Sequence, residues 1–198
     1  AGVASFLAYG APQDPLTLHR QIKSFPCGTS QWLAIDGEGR LREELAQRFW
    51  RFPMSGPEKP LTDTAESARD AITTAVRSHL VSDVPLAVLL SGGIDSGIIA
   101  AIASRHTAGI ATFCVGFDSP SMPSELVVAR ATASLIGSRH HEVILGPADV
   151  LQLWEQWLRV ADRPSIDGFN TFLVTKAVKD AGVTVACSGL GADEFFGG

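Results

Sequence analysis

The spacing of apolar positions changes character near residue 60. Beyond it, Ala65, Ala68, Ile72, Ala75, Val76 and Leu80 recur at helical steps, which predicts one amphipathic helix. Asp63 stands three residues before Glu66 at its start, the spacing of a capping box. Leu86 to Leu90 is a continuous apolar run closed by Ser-Gly-Gly, which suits a strand buried on both faces. Small residues of helical character then span 97–105, and Ile110 to Val115 is β-rich again. Ser124 is placed to cap a helix running through Ile136 and stopped at Gly137, and His141 to Leu145 reads as a strand. Pro147 opens a helix with Val150, Leu151, Trp154, Trp157 and Leu158 on one side. Asp167 caps a last helix, with Phe172, Leu173, Val174 and Val178, that ends near Gly182 before a strand from Val183 to Cys187. The order β-α-β-α-β-α-α-β predicts an α/β fold, a parallel twisted sheet with helices on both faces.

Residues 1–60 read differently. Pro12, Pro15, Pro26, Pro53, Pro57 and Pro60 interrupt short apolar pieces, and Asp36-Gly37 marks a turn after a candidate strand at Gln31 to Ile35. This stretch is expected to be an irregular connector, and residues 61–198 the domain. The chain opens Ala-Gly-Val-Ala-Ser without an initiator Met or a basic flank, so it reads as cut from a longer protein.

Composition narrows the classes. The chain has 198 residues, 45% of them hydrophobic and 19% charged, with a mean hydropathy of +0.17; this excludes disorder and leaves room for one core. No apolar run reaches the roughly 20 residues of a membrane span, so a soluble, cytoplasmic protein is expected. The net charge is −5, and residues 61–198 hold 9 basic against 15 acidic groups, a poor partner for nucleic acid. Cys27, Cys114 and Cys187 are odd in number and far apart, which indicates neither a disulfide framework nor a zinc site.

In open parallel sheets ligands collect at the carboxyl ends of the strands, so the loops after the strand runs carry the chemistry. The first is Ser91-Gly92-Gly93-Ile94-Asp95-Ser96. Its glycines let the backbone approach a ligand closely, and the NH groups of the following helix start favour an anion, supported by the Ser91 and Ser96 hydroxyls. The Gly-Lys-Ser/Thr ending of a Walker A loop is missing. A carboxylate, Asp95, stands there instead, and a carboxylate beside phosphates calls for a divalent cation between them, best Mg²⁺. The second loop, Ser188-Gly189-Leu190-Gly191-Ala192-Asp193-Glu194, follows the last strand. If the two strands are neighbours, Asp193 meets Asp95 across one metal–nucleotide complex.

The first loop resembles the SGGxDS PP-loop signature of the N-type ATP pyrophosphatases, whose members activate a substrate as its adenylate. The second resembles the SGxGxDExFGG stretch in the C-terminal synthetase domain of the glutamine-hydrolysing asparagine synthetase family. The Phe113 to Phe117 segment, the Ser124-Glu125 and Ala129-Arg130 pairs leading to His140-His141-Glu142, and Asp162-Arg163-Pro164 agree with the same family. Residues 1–60 look like its connector from an absent glutaminase domain, leaving 61–198 as a partial, truncated synthetase domain.

The resemblance implies a Rossmann-like PP-loop ATPase with ATP and Mg²⁺ as cofactors. Ser91, Gly92, Gly93, Asp95 and Ser96 would hold pyrophosphate, Leu90, Val115, Ser188 and Gly189 would lie against adenosine, and Asp95 and Asp193 would be the metal ligands and catalytic residues. The reaction implied is adenylation of a carboxylate, aspartate in the type enzyme, and attack by ammonia to give an amide, AMP and pyrophosphate. The ammonia source lies outside this chain, because the family's glutaminase needs an N-terminal Cys where this chain has Ala1. A catalytic Lys expected downstream also lies beyond Gly198, and the domain is expected to act in a larger protein, as a homodimer among the options. Asparagine synthetases proper usually carry Glu where this chain has Leu190. Leucine neither accepts a proton nor orients an amine, which leaves three readings: aspartate amidation, amidation of another carboxylate, or a nucleotide-binding or regulatory domain without amide chemistry.

Other notable residues have plain structural explanations. His140 and His141 face opposite sides of a strand, Trp154 and Trp157 stand at i, i+3 for core or docking, and Cys114 and Cys187 serve as small hydrophobes in strands. Asp162 and Asp167 suit caps, while Glu125 and Arg130 fit either a substrate contact or a solvated helix face.

Overall fold

The computed structural model describes residues 1–52, 60–118, 125–162, 165 and 167–197. The chain divides into two compact units, Ala1–Lys59 with Asp162–Ile166, and Pro60–Ala161 with Asp167–Gly198. Each is taken by itself.

The first unit holds more regular structure than its prolines suggest. Helix α1 (Gly2–Tyr9) ends at Gly10, whose φ of 76° is the left-handed conformation a helix C-terminus favours and whose N–H donates to the Phe6 carbonyl. Short strands β1 (Thr29–Ser30), β2 (Leu33–Ile35), β3 (Leu41–Glu43) and β4 (Gln47–Arg48) form two antiparallel ladders, β1 with β4 and β2 with β3. The candidate strand at Gln31 to Ile35 is thus shortened to β2. The turn after it is an Asx turn, in which the Asp36 Oδ1 accepts from the Glu38 and Arg40 N–H groups.

The second unit contains α2 (Leu61–His79), β5 (Leu86–Leu89), α3 (Ile94–His106), β6 (Ala111–Phe117), α4 (Glu125–Ile136), β7 (Arg139–Leu145), α5 (Pro147–Val160), α6 (Gly168–Asp180), β8 (Val185–Cys187) and α7 (Ala192–Phe196). The sheet is parallel throughout, in the order β7-β6-β5-β8. Side chains alternate along β5: Val88, with Leu90 beyond the strand end, packs beside Val76, Ala100, Ala103, Leu126 and Ala129 in one core cluster. Ala87 packs beside Ala111, Phe113 and Val178 in the other. Helices therefore cover both faces, as the strand–helix alternation predicts.

Some expected boundaries move. The capping box at Asp63 is not formed, because the N-cap of α2 is Pro60, three residues earlier, and Asp63 lies within the first turn. Helix α3 begins at Ile94 rather than near Gly97, which brings Asp95 and Ser96 into its first turn. At α5, Gly146 is the N-cap and its N–H donates to Asp149 Oδ2 at 2.9 Å. Ser124, Arg163, Pro164 and Gly198 lie outside the described residues.

Strand topology positions the site. From β5 the chain steps outward through β6 to β7, then returns to place β8 on the other flank of β5. The connections leaving β5 on its two sides diverge here, and such a switch point opens a crevice at the strands' carboxyl ends.

Candidate functional site: two glycine loops at the switch point

The loop after β5 is stitched by its own serines. The Ser91 N–H donates to Ser96 Oγ at 3.1 Å, the two hydroxyls share a hydrogen bond of 2.8 Å, and the Gly93 N–H donates to Ser91 Oγ at 3.2 Å. Ser96 is buried at 6% exposure and also donates to the Ser91 and Gly93 carbonyls. The loop is a preformed turn at the positive end of α3.

The loop after β8 comes up against it. A Cβ placed on Gly189 would stand 3.0 Å from Asp95 Cβ and 3.1 Å from Ser96 N, so only glycine leaves room there. Gly191, at φ 98°, turns the chain into α7 and brings Asp193 towards α3. The outcome is a facing carboxylate pair. The Asp95 carboxyl is held above its ordinary value by desolvation first, then by the charge of Asp193 and a hydrogen bond with it, and by the charge of Glu194.

Two converging carboxylates form a hard-oxygen donor set, which fits Mg²⁺ completed by phosphate and water oxygens. Among the described residues no group of three or more His, Cys, Asp or Glu could by itself hold a metal ion.

These loops border a cavity of about 290 Å³ lined by Leu90, Ser91, Gly93, Asp95, Ser96, Val115, Ser188, Gly189 and Asp193. Gly92 is the one expected residue absent from that lining; it backs onto α4, where an added Cβ would meet Val128 Cβ at 3.4 Å and Glu125 Cα at 3.6 Å. Sequence reasoning missed part of the wall. Asp167, Asn170, Thr171 and Val174 from the first turns of α6 line it, as do Phe113 and Cys114, together with Glu125, which the sequence left open as a substrate contact. The polar residues at 167, 170 and 171 share a helical stripe, a signal that existed in the sequence but had no visible partner there. Leu190 also lines the cavity and is 71% exposed.

The two histidines point to opposite faces. His141 stacks on Phe113, with ring centroids 4.7 Å apart and planes 12° apart. On the other face His140 Nδ1 shares a 2.9 Å hydrogen bond with Thr112 Oγ1, which also bonds Ser138 Oγ. Burial holds the His140 imidazole below its ordinary value. Cys114 is buried, and desolvation, with the charges of Glu125 and Glu142, pushes its thiol up to about 11; it stays protonated and inert. Trp154, Trp157 and Phe169 form one aromatic cluster.

The parallel α/β sheet thus carries a glycine-rich loop, a facing carboxylate pair and an adjoining cavity at its switch point. The Asparagine synthase family model matches residues 67–198, and the chain belongs to the asparagine synthase family. It is 32% identical over 195 residues to the glutamine-hydrolyzing asparagine synthetase 1 of Bacillus subtilis (strain 168), covering 98% of this chain and 30% of that protein. It is 34% identical over 197 residues to the glutamine-hydrolyzing asparagine synthetase B of Escherichia coli (strain K12), covering 90% of this chain and 34% of that one. The chain thus spans about a third of the length of these relatives. Among solved structures, an NH3-dependent NAD synthetase from Campylobacter jejuni aligns with a TM-score of 0.38 and 15% identity, over 64% of this chain and 56% of that one. No helix among the described residues is long and apolar enough to cross a membrane.

Proposed function

We propose that residues 61–198 form the ATP-pyrophosphatase part of an amide-forming synthetase, with residues 1–60 as its connector from a glutaminase domain. The observation that carries this reading is the apposition of the 91–96 and 188–193 loops, with Asp95 facing Asp193 at the switch point.

In this reading Ser91, Gly92, Gly93, Asp95 and Ser96 cradle the pyrophosphate of ATP. The backbone N–H groups at the start of α3 are already aimed at the strand ends, so little reorganisation is needed when charge develops on the leaving group. Leu90, Val115, Ser188 and Gly189 form the wall for adenosine. Asp95 and Asp193 hold Mg²⁺, which supplies Lewis-acid neutralisation of the phosphate oxygens. The acceptor carboxylate, aspartate in the first instance, attacks the α-phosphorus of ATP and displaces pyrophosphate, and ammonia attack on the resulting acyl adenylate releases the amide and AMP. Relatives named as glutamine-hydrolyzing support a glutaminase domain as the ammonia source, and a cytoplasmic homodimer acting on a small carboxylate completes the proposal. Leu190, exposed on the cavity wall where a proton acceptor is expected, favours a second reading: another carboxylate, or nucleotide binding without amide chemistry.

The test is pyrophosphate release by the full-length protein with Mg-ATP and ammonium across carboxylates led by aspartate, with Asp95→Ala as control. Aspartate-dependent release lost in the control supports asparagine formation. Release with a different acid replaces the substrate, and none with any acid leaves a nucleotide-binding domain.

A further inference from the structure

The Arg130…His140-His141-Glu142 constellation has no part in the reaction described above, yet it is built with care. Arg130 on α4 forks onto Glu142 of β7, with Nε to Oε1 at 2.8 Å and Nη2 to Oε2 at 2.6 Å, the bidentate geometry that only a guanidinium provides. His140 Nε2 stands 3.5 Å from the same Oε1 without hydrogen-bonding it. The other ring nitrogen of His140 is fixed by Thr112, which is fully buried at 0% exposure. A line of side chains thus runs from the sheet interior through Thr112, His140 and Glu142 to Arg130 on the helix.

Helix α4 is also the wall behind the pyrophosphate loop. Leu126 fills the space over Gly116 of β6, where an added Cβ would sit 2.5 Å from Leu126 Cδ1, and Ala129 and Ala133 are buried beneath the helix. Val128 and Glu125 stand directly behind Gly92. Small residues let α4 lie close to the sheet but do not fix its rotation or its slide. The Arg130–Glu142 fork, less than two turns from Glu125, adds a directional tie between α4 and β7 to the packing of Leu126 over Gly116.

We infer that the Arg130–Glu142 pair is a positioning device that sets α4 against Gly92 and so sets the width of the pyrophosphate cradle. The inference rests on the reading that the 91–96 loop takes pyrophosphate. Under that reading the adenosine wall of Leu90, Val115, Ser188 and Gly189 is carried by β6 and by the loops after β5 and β8, not by α4 itself. Loosening the pair therefore weakens Mg-pyrophosphate and Mg-ATP selectively and leaves AMP affinity unchanged.

The experiment is calorimetric titration of the full-length protein with Mg-pyrophosphate, Mg-ATP and AMP, for wild type, Arg130→Met, Glu142→Gln and the double variant. Arg130→Lys, which keeps the charge and loses the fork, serves as a milder fourth. The expected result is a loss of about three- to tenfold in affinity for the two pyrophosphate-bearing ligands in each single variant, with no further loss in the double, since both act through one contact. Unchanged Mg-pyrophosphate affinity, or an equal loss for AMP, overturns the inference. Wild-type protein that binds neither Mg-pyrophosphate nor Mg-ATP overturns the underlying reading instead, and is told apart by that.

Discussion

Gly189→Ala is the most demanding test of how the two loops meet. The new methyl would stand 3.0 Å from Asp95 Cβ, 3.1 Å from Ser96 N and 3.3 Å from Asp95 C, where ordinary contact needs about 3.4–4 Å. Two of these neighbours are backbone and the third is a Cβ, so no rotamer change relieves the crowding. The loops must separate by several tenths of an ångström, and overpacking of this kind costs about 1–3 kcal/mol. The displaced residues are Asp95 and the first turn of α3, so relieving the strain moves the proposed cradle and lowers Mg-ATP affinity by up to about 150-fold. Gly97→Ala, two residues after Asp95 in α3 and with nothing within 4 Å of its added Cβ, is the matched control and should stabilise the helix by up to about 1 kcal/mol. Titration with Mg-ATP and a thermal melt of both variants decide the matter. Equal affinity in Gly189→Ala and wild type would refute the close apposition of the loops.

Three further outcomes follow from named contacts. Asp95→Asn should abolish Mg²⁺-dependent nucleotide binding while raising the melting temperature of the ligand-free protein at neutral pH. Because the Asp95 carboxyl titrates above its ordinary value of 3.8, folding stability falls as pH rises through that raised value, and melts from pH 4 to 7 with and without Mg²⁺ should show the cation reversing the loss. His140 shifts the other way: with its folded value below 6.5, the unfolded chain takes up a proton that the folded one refuses, so stability drops as pH is lowered from 7 through 6.5, and His140→Gln should flatten that slope. Gly116→Ala should drive Leu126 from its seat beneath α4 and cost about 1–3 kcal/mol in chemical denaturation, with a matching loss of Mg-ATP affinity where α4 backs Gly92.

Most of the sheet was legible in the sequence because its central strands β5 and β6 are largely buried apolar runs; Gly137 and Gly182, at φ 67° and 79°, end α4 and α6 where punctuation predicts. Asp95 and Asp193 were legible as a pair only through the strand order, since 98 positions separate them and only β8 returning beside β5 joins their loops. Other features were hidden for physical reasons. Helix α1 has no acidic first turn and no side-chain cap, so nothing announces it. The start of α3 is masked by Gly92 and Gly93, which read as loop. Asn170 and Thr171 became wall residues only because α6 packs over β6, a tertiary fact that no local pattern carries. The partnership of Arg130 with Glu142 needed the distance across α4 and β7.

The central claim is that the facing loops form one Mg-ATP site. Titration of ATP into the full-length protein, with and without Mg²⁺, for wild type, Asp95→Asn and Asp193→Asn tests it most directly. The account predicts binding that requires Mg²⁺ and is lost in both variants; nucleotide binding that survives both substitutions, or that ignores Mg²⁺, would contradict it.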